Sequence, residues 1–306
     1  MKRAFVMGVT GYIGGSVARR LLRDGYQVTG LVRTQAASER VAALGIQPIL
    51  GDIENGALLS RCAREADVVV NAANMHHRGS IEALLEGLSG TNKTLVHTSG
   101  SSIVSEFGEG EVSERIFEDD TPFIPEPVKA ESVAINQLVL DSAARGVRGI
   151  VICPPMIYGR GTGLKRDSIQ VPALIQMARL QNAGVHLARG LNVWSNVHID
   201  DLVDLYALAI ERAKPGDFLF AEAGEERFLD IAAAISRMLG YEGRTVSFPI
   251  AQAVALAGET EVRYSGASNS RVRATRARDL GWTPKHTSLL REIEQGSYRE
   301  DFAGPA

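Results

Sequence analysis

This chain has little cysteine, few aromatic residues and no excess of one charge. Its two cysteines, Cys62 and Cys153, are far apart and show no Cys-x-x-Cys or metal-ligand spacing. No disulfide scaffold or metal site is therefore expected, and a reducing, cytoplasmic compartment is the simpler reading. Lys and Arg number 33 against 36 Asp and Glu, a formal net charge of −3. Without a basic stripe or tail, neither nucleic acid nor an anionic membrane is expected as the main partner. No apolar run reaches the roughly 20 residues of a membrane-spanning helix. Repeats and low-complexity segments are also missing. What remains is 306 residues, 45% of them hydrophobic, enough for one large core and a smaller lobe.

The strongest positive signal is Gly8, Gly11 and Gly14. They follow the short apolar stretch from Ala4 to Met7 and precede a helical pattern from Ser16 onward. Glycine lets a turn take φ > 0 and lets a pyrophosphate approach the backbone, while the helix N-terminus offers free N–H groups. Strand, glycine turn, helix and a second strand (Gln27 to Val32) is the context a dinucleotide site requires. A cleavable leader is not expected, because removing one would take this turn with it.

The second strand ends Leu31-Val32-Arg33-Thr34, with no acid at its tip. An acid about 20 residues past the glycines bonds a ribose 2′-hydroxyl, whereas an arginine suits a 2′-phosphate. A guanidinium grips phosphate bidentately, and Thr34 and Ser38 add hydroxyls beside Arg33. NADP(H) is therefore favoured over NAD(H).

Strand-like and helix-like segments alternate from residue 3 to residue 154. Strands are expected at Gln47–Leu50, Asp67–Asn71, Thr94–Thr98 and Gly149–Pro154. The longest helix is expected over Ala130–Arg145. Such alternation predicts an α/β protein: a Rossmann-type, doubly wound parallel sheet with a smaller C-terminal substrate lobe. Residues 1–160 form the expected cofactor domain, completed by about 192–222. Residues 161–191 and 223–306 form the lobe, closing over the carboxyl ends of the strands.

The chain resembles the extended short-chain dehydrogenase/reductases, in their NAD-dependent epimerase/dehydratase-like branch, and especially their atypical members. The resemblance rests on Val9-Thr10-Gly11-Tyr12-Ile13-Gly14, Gly51-Asp52, Asn71-Ala72-Ala73 and Thr98-Ser99-Gly100-Ser101. It continues through Pro154-Pro155-Met156-Ile157-Tyr158-Gly159, Val197-His198-Ile199-Asp200-Asp201-Leu202 and Leu280-Gly281-Trp282. It implies that Asp52 and Ile53 flank the adenine and that Asn71, Ala72 and Ala73 line the middle of the cofactor. Pro154, Pro155, Met156 and Ile157 would then abut the nicotinamide, with Thr98 at the adjoining strand end. A homodimer through Ile81–Leu88 and Ala130–Arg145 is the family expectation.

Two departures matter. The family places a Tyr-x-x-x-Lys pair on the helix before the Pro-Pro strand end. Counting back from Pro154 puts those slots at Pro127 and Glu131, and no tyrosine lies between Tyr26 and Tyr158. Lys129 is the nearby cation, either a ribose contact or a solvated lysine at a helix start. The second departure is Trp194-Ser195-Asn196, where sugar-nucleotide enzymes of this branch commonly carry an arginine. An aromatic there favours a smaller, more apolar substrate, unless Trp194 merely packs.

For chemistry, Ser99 and Ser101 follow the fifth strand, where a hydroxyl can donate to a developing oxyanion. His76 and His77 follow the fourth, where an imidazole can exchange protons near neutral pH. Three functions stay open: an NADP(H)-dependent oxidoreductase of a small organic molecule, a non-catalytic NADP(H)-binding sensor or scaffold, and a non-redox isomerase or lyase.

Overall fold

The computed structural model describes residues 2–303. Its centre is a seven-stranded parallel sheet. The strands are β1 (Arg3–Met7), β2 (Gln27–Val32), β3 (Gln47–Leu50), β4 (Val68–Asn71), β5 (Thr94–Thr98), β7 (Arg148–Cys153) and β11 (Phe218–Phe220). They lie in the order β11-β7-β5-β4-β1-β2-β3. The interior strands are largely buried on both sides, which explains apolar runs such as Ala4–Met7 in β1 and Val68–Val70 in β4. In β1, Ala4 and Val6 enter one core while Phe5 and Met7 enter the other. One core is covered by α1 (Tyr12–Arg23) and α7 (Ile199–Arg212), the other by α3 (Gly56–Glu65), α4 (Arg78–Leu88) and α5 (Ala130–Leu140). Helix α2 (Gln35–Ala42) joins β2 to β3.

The expected long helix ends as α-helix at Leu140 and tightens to a 3₁₀ turn over Asp141–Arg145. Gly146, at φ 66°, closes it, the left-handed conformation that glycine adopts without penalty.

The smaller lobe is built around β8 (Met156–Tyr158), β10 (Val193–His198) and β12 (Gly224–Arg227), in the order β12-β10-β8. Strand β9 (Gly184–Leu187) pairs in parallel with β13 (Thr245–Phe248), and β6 (Glu106–Phe107) pairs with β14 (Ser268–Asn269). Helices α6 (Gln170–Gln181) and α8 (Phe228–Met238) pack on these strands. Within 192–222, β10 therefore belongs to the lobe's sheet, while β11 extends the large one.

Strand order reverses between β1 and β4. The chain steps outward through β2 and β3, then returns to begin again on the other side of β1. The loops after β1 and β4 leave in opposite directions, which opens a crevice at their carboxyl ends.

Candidate active site

The glycine turn sits at this reversal. Gly8 has φ 78°, and a Cβ there would lie 2.3 Å from the Ala72 carbonyl oxygen. Glycine is thus required twice over, by conformation and by the approach of the β4 loop. A Cβ on Gly14 would lie 2.4 Å from the Gly8 carbonyl oxygen, so Gly14 lets α1 pack on the turn. Gly11 is the N-cap of α1, and its amide donates to Gly8 O at 2.8 Å. Its missing side chain meets only that oxygen, at 3.0 Å, and otherwise faces open space. This is a cradle a side chain would fill, and it fits a dinucleotide phosphate.

Tyr12 has a structural part: its buried phenol donates to the carbonyls of Tyr158 and Gly159, at 2.9 and 2.8 Å. It ties the start of α1 to the end of β8. Thr10 and Arg33 are exposed, Arg33 at the tip of β2 and without an ion pair among the described residues. Thr34 beside it is spent as the N-cap of α2. Asp52, exposed after β3, accepts from the Glu54 amide at 3.1 Å, and Ile53 packs against the core. Both stand on the carboxyl edge of the sheet.

A cavity of about 460 Å³ opens between the glycine turn, the β5 and β7 ends and the lobe. From the expected cofactor residues it takes Gly11, Tyr12, Ile13, Ala72, Ala73, Pro154, Pro155 and Ile157. Met156 does not reach it. Side chains alternate along β8, so Met156 and Tyr158 enter the lobe core while Ile157 faces the cavity. Thr98 points away as well, its hydroxyl 2.6 Å from the Tyr206 phenol on α7. Asn71 is buried, with its amide nitrogen donating to His97 Nδ1 at 3.2 Å and its oxygen accepting from Ala73 N. It shapes the β4 loop from beneath.

Ser99 lines the cavity and accepts from the Asn136 amide at 2.8 Å. Ser101 also borders it, but its hydroxyl is held 2.7 Å from Ser270 Oγ, linking sheet domain and lobe. The histidines lie outside. His77 caps α4, its Nδ1 accepting from Ser80 N and its Nε2 lying 3.0 Å from Glu54. His76 is exposed, with Nδ1 2.7 Å from the Ser132 hydroxyl. Met75, not either imidazole, reaches the cavity from that loop.

The expected dyad slots, Pro127 and Glu131, do not lie on the side of α5 that faces these loops. Glu131 is exposed and pairs with Arg78 on α4 at 2.7 Å, and Pro127 belongs to a preceding 3₁₀ turn. The residues turned inward are Lys129, Ser132 and Asn136, spaced i, i+3, i+7 along one helical face. Their partners are Ser102 at 3.2 Å, His76 and Ser99. Lys129 is thus not a solvated surface lysine. Its partner Ser102 lines the cavity, and burial lowers the Lys129 pKa against the opposing pull of Glu261. Ser102, Ser132 and Asn136 escaped the sequence reading. Ser132 and Asn136 had a signal in their helical spacing with Lys129 along one side of α5, whereas Ser102, in the 3₁₀ turn after β5, had none.

Trp194 both packs and lines the cavity: it is 5% exposed, and its indole donates to Ser268 O at 2.9 Å. Among the described residues, one His–Asp group (His198, Asp200 and His286) has possible ligand atoms within 4.8 Å of one another. It is poorly built for a metal. His198 Nδ1 accepts from Asp200 N, and its Nε2 abuts Gly159, where a Cβ would lie 2.1 Å away.

A reversed-order parallel sheet, a glycine turn feeding a helix and a hydroxyl-lined crevice define a dinucleotide-fold protein. The chain belongs to the NAD dependent epimerase/dehydratase family, whose model matches residues 4–220. It is 29% identical to the oxidase ucsJ of an Acremonium species, over 96% of both chains. It is 27% identical to the 4-hydroxy-2-methyl-3-oxo-4-farnesyl-3,4-dihydroquinoline-1-oxide ketoreductase of Stigmatella aurantiaca, over 84% of this chain and 80% of that one. Among solved structures, dTDP-glucose 4,6-dehydratase of Bacillus anthracis superposes with a TM-score of 0.75 at 19% identity, covering 97% of this chain and 94% of that one.

Proposed function

We propose that the protein is an NADP(H)-dependent oxidoreductase acting on a small, largely apolar carbonyl compound or the corresponding alcohol. The observation that carries this reading is the cavity itself. It joins the Gly11–Ile13 turn to a wall of Pro154, Pro155, Ile157, Met75 and Trp194, with serine hydroxyls along one side. Its volume, about 460 Å³, falls in the range of small-molecule sites. A nicotinamide cofactor bound there supplies or accepts a hydride. The chain's own part is to hold the reacting oxygen and manage its proton. Ser99 is suited to the first task, because Asn136 donates to its oxygen and leaves its hydroxyl proton to point at a substrate. Arg33, exposed at the β2 tip, supports the 2′-phosphorylated cofactor. The likeness to a ketoreductase whose substrate name includes a farnesyl group supports an apolar ketone.

The test is NADPH and NADH binding by fluorescence, followed by turnover on a panel of alkyl and aryl ketones. Tighter NADPH binding with oxidation on apolar ketones is expected. Binding without turnover on any of them moves the function to a sensor, and no binding removes the cofactor reading.

A further inference from the structure

The family's tyrosine is missing, yet a reduced carbonyl oxygen must receive a proton. We infer that Lys129 and Ser102 form the proton relay of this site, with Ser102 touching the substrate and Lys129 resupplying it. This rests on the carbonyl-reductase reading above.

Lys129 stands at the N-cap of α5, and its Nζ donates to Ser102 Oγ at 3.2 Å. An ammonium is a donor without lone pairs, so the hydroxyl accepts from it and is free to give its own proton into the cavity that Ser102 lines. The surroundings keep the lysine uncommitted. Among the described residues Lys129 makes no salt bridge, and the Tyr264 ring lies 5.1 Å from its Nζ. The charged group bearing on it is Glu261, from the same segment as Tyr264; Glu126, three residues earlier in the chain, lies 3.5 Å from the Tyr264 hydroxyl. Of the other inward groups, Ser132 is held by His76 and Ser101 by Ser270, while Ser99 takes its hydrogen bond from Asn136, whose amide has no proton to pass on. Tyr298 also lies 3.3 Å from the Ser168 hydroxyl at the cavity wall, but burial pushes its phenol up to about 12. Lys165 lines the cavity without a hydroxyl partner, and among the described residues Lys129 is the lysine that donates to a cavity hydroxyl.

The balance is simple. The carbonyl carbon takes a hydride, its C=O π bond opens onto oxygen, and that oxygen takes the Ser102 proton. The serine oxygen then takes a proton from Lys129, and bulk water recharges the amine. In the oxidative direction every transfer reverses.

The test combines kinetics with a direct titration. Lys129→Met and Ser102→Ala should each lower kcat on an apolar ketone by roughly ten- to a thousandfold. NADPH affinity, measured by fluorescence, should stay within about twofold. The double variant should be no slower than the worse single one, because both interrupt one path. The wild-type rate should be lost as pH rises through the Lys129 pKa, a limb absent from Lys129→Met. Lys129→Arg, which holds its proton at all working pH, should keep cofactor affinity without restoring the rate. Separately, ¹³C-methyl NMR of reductively methylated protein should resolve a Lys129 titration that Ser102→Ala moves by about half a pH unit, the scale of one hydrogen bond. A Lys129→Met rate equal to wild type, additive losses, or a loss confined to NADPH affinity would overturn the relay. So would a Lys129 titration indifferent to Ser102. If wild type binds NADPH but reduces no ketone, the oxidoreductase reading fails by itself, and the NMR titration still decides whether the lysine and serine are coupled.

Discussion

Single residues divide here between holding the backbone and facing a ligand. Arg33 faces outward, so replacing it should leave the fold alone. Arg33→Asp is expected to shift the NADPH/NADH affinity ratio by roughly ten- to a hundredfold toward NADH. Loss of one charged hydrogen-bonded contact is worth about 1.5–3 kcal/mol, and the carboxylate adds repulsion. Parallel fluorescence titrations check it, and equal losses for both cofactors would remove Arg33 from the site. Ser99 is the converse, a buried residue at the cavity wall that we propose orients the reacting oxygen. Ser99→Ala should lower turnover by roughly ten- to a thousandfold, the scale of a lost oxyanion donor, with NADPH affinity nearly unchanged. A normal rate in that variant would place substrate orientation elsewhere.

At the scale of elements, the turn between β1 and α1 separates two kinds of glycine. Gly8 combines a left-handed φ of 78° with a carbonyl 2.3 Å from any Cβ. Gly8→Ala is therefore expected to destabilise the fold by about 3 kcal/mol or more, read as a lower urea midpoint. Gly11 has an ordinary φ of −82° and open space beyond one oxygen. Gly11→Ala should fold with a midpoint near wild type and yet bind NADPH at least tenfold more weakly, because the added methyl enters the phosphate cradle. Equal cofactor affinity in folded Gly11→Ala would move the phosphate off this turn. Helix α5 makes the same distinction by register: Glu131 belongs to the surface with Arg78, whereas its neighbour Ser132 is buried against His76. A one-residue shift along the helix decides which of them is buried.

For the molecule as a whole, acid sensitivity should trace to the sheet beneath the crevice. His97 lies in β5, wholly buried, with Nδ1 accepting from Asn71 and Nε2 without a partner. Burial lowers its pKa from the ordinary 6.5 to about 4. The unfolded chain therefore binds the proton more tightly. The stability this histidine contributes is complete above about pH 6.5 and is lost as pH falls toward about 4, on the order of 3 kcal/mol in all. Thermal melts at pH 7.5 and pH 4.5 should show a smaller drop for His97→Asn than for wild type. Equal drops would assign the acid sensitivity to other groups. Among the described residues, no helix is long and apolar enough to cross a membrane.

Local sequence determined the parts of this protein that local physics controls. Apolar runs such as Val68-Val69-Val70 belong in a sheet covered on both faces, and a glycine turn between strand and helix is legible because backbone conformation and close approach admit few alternatives. Strands β8, β9 and β12 were not legible. They are short, and β12 (Gly224–Arg227) is almost wholly polar, so pairing with the lobe rather than any intrinsic pattern makes them strands. The cavity wall needed the fold for the same reason. Ser102 and Lys129 are 27 residues apart and meet at 3.2 Å, and Trp194 arrives on a strand that aligns with β8 only in the lobe. The histidines show the reverse case. Sequence placed them on the right loop, but helix capping and hydrogen bonding to α5 turned their rings from the cavity. Side-chain direction depends on partners distant in the chain, and only tertiary packing brings those partners together.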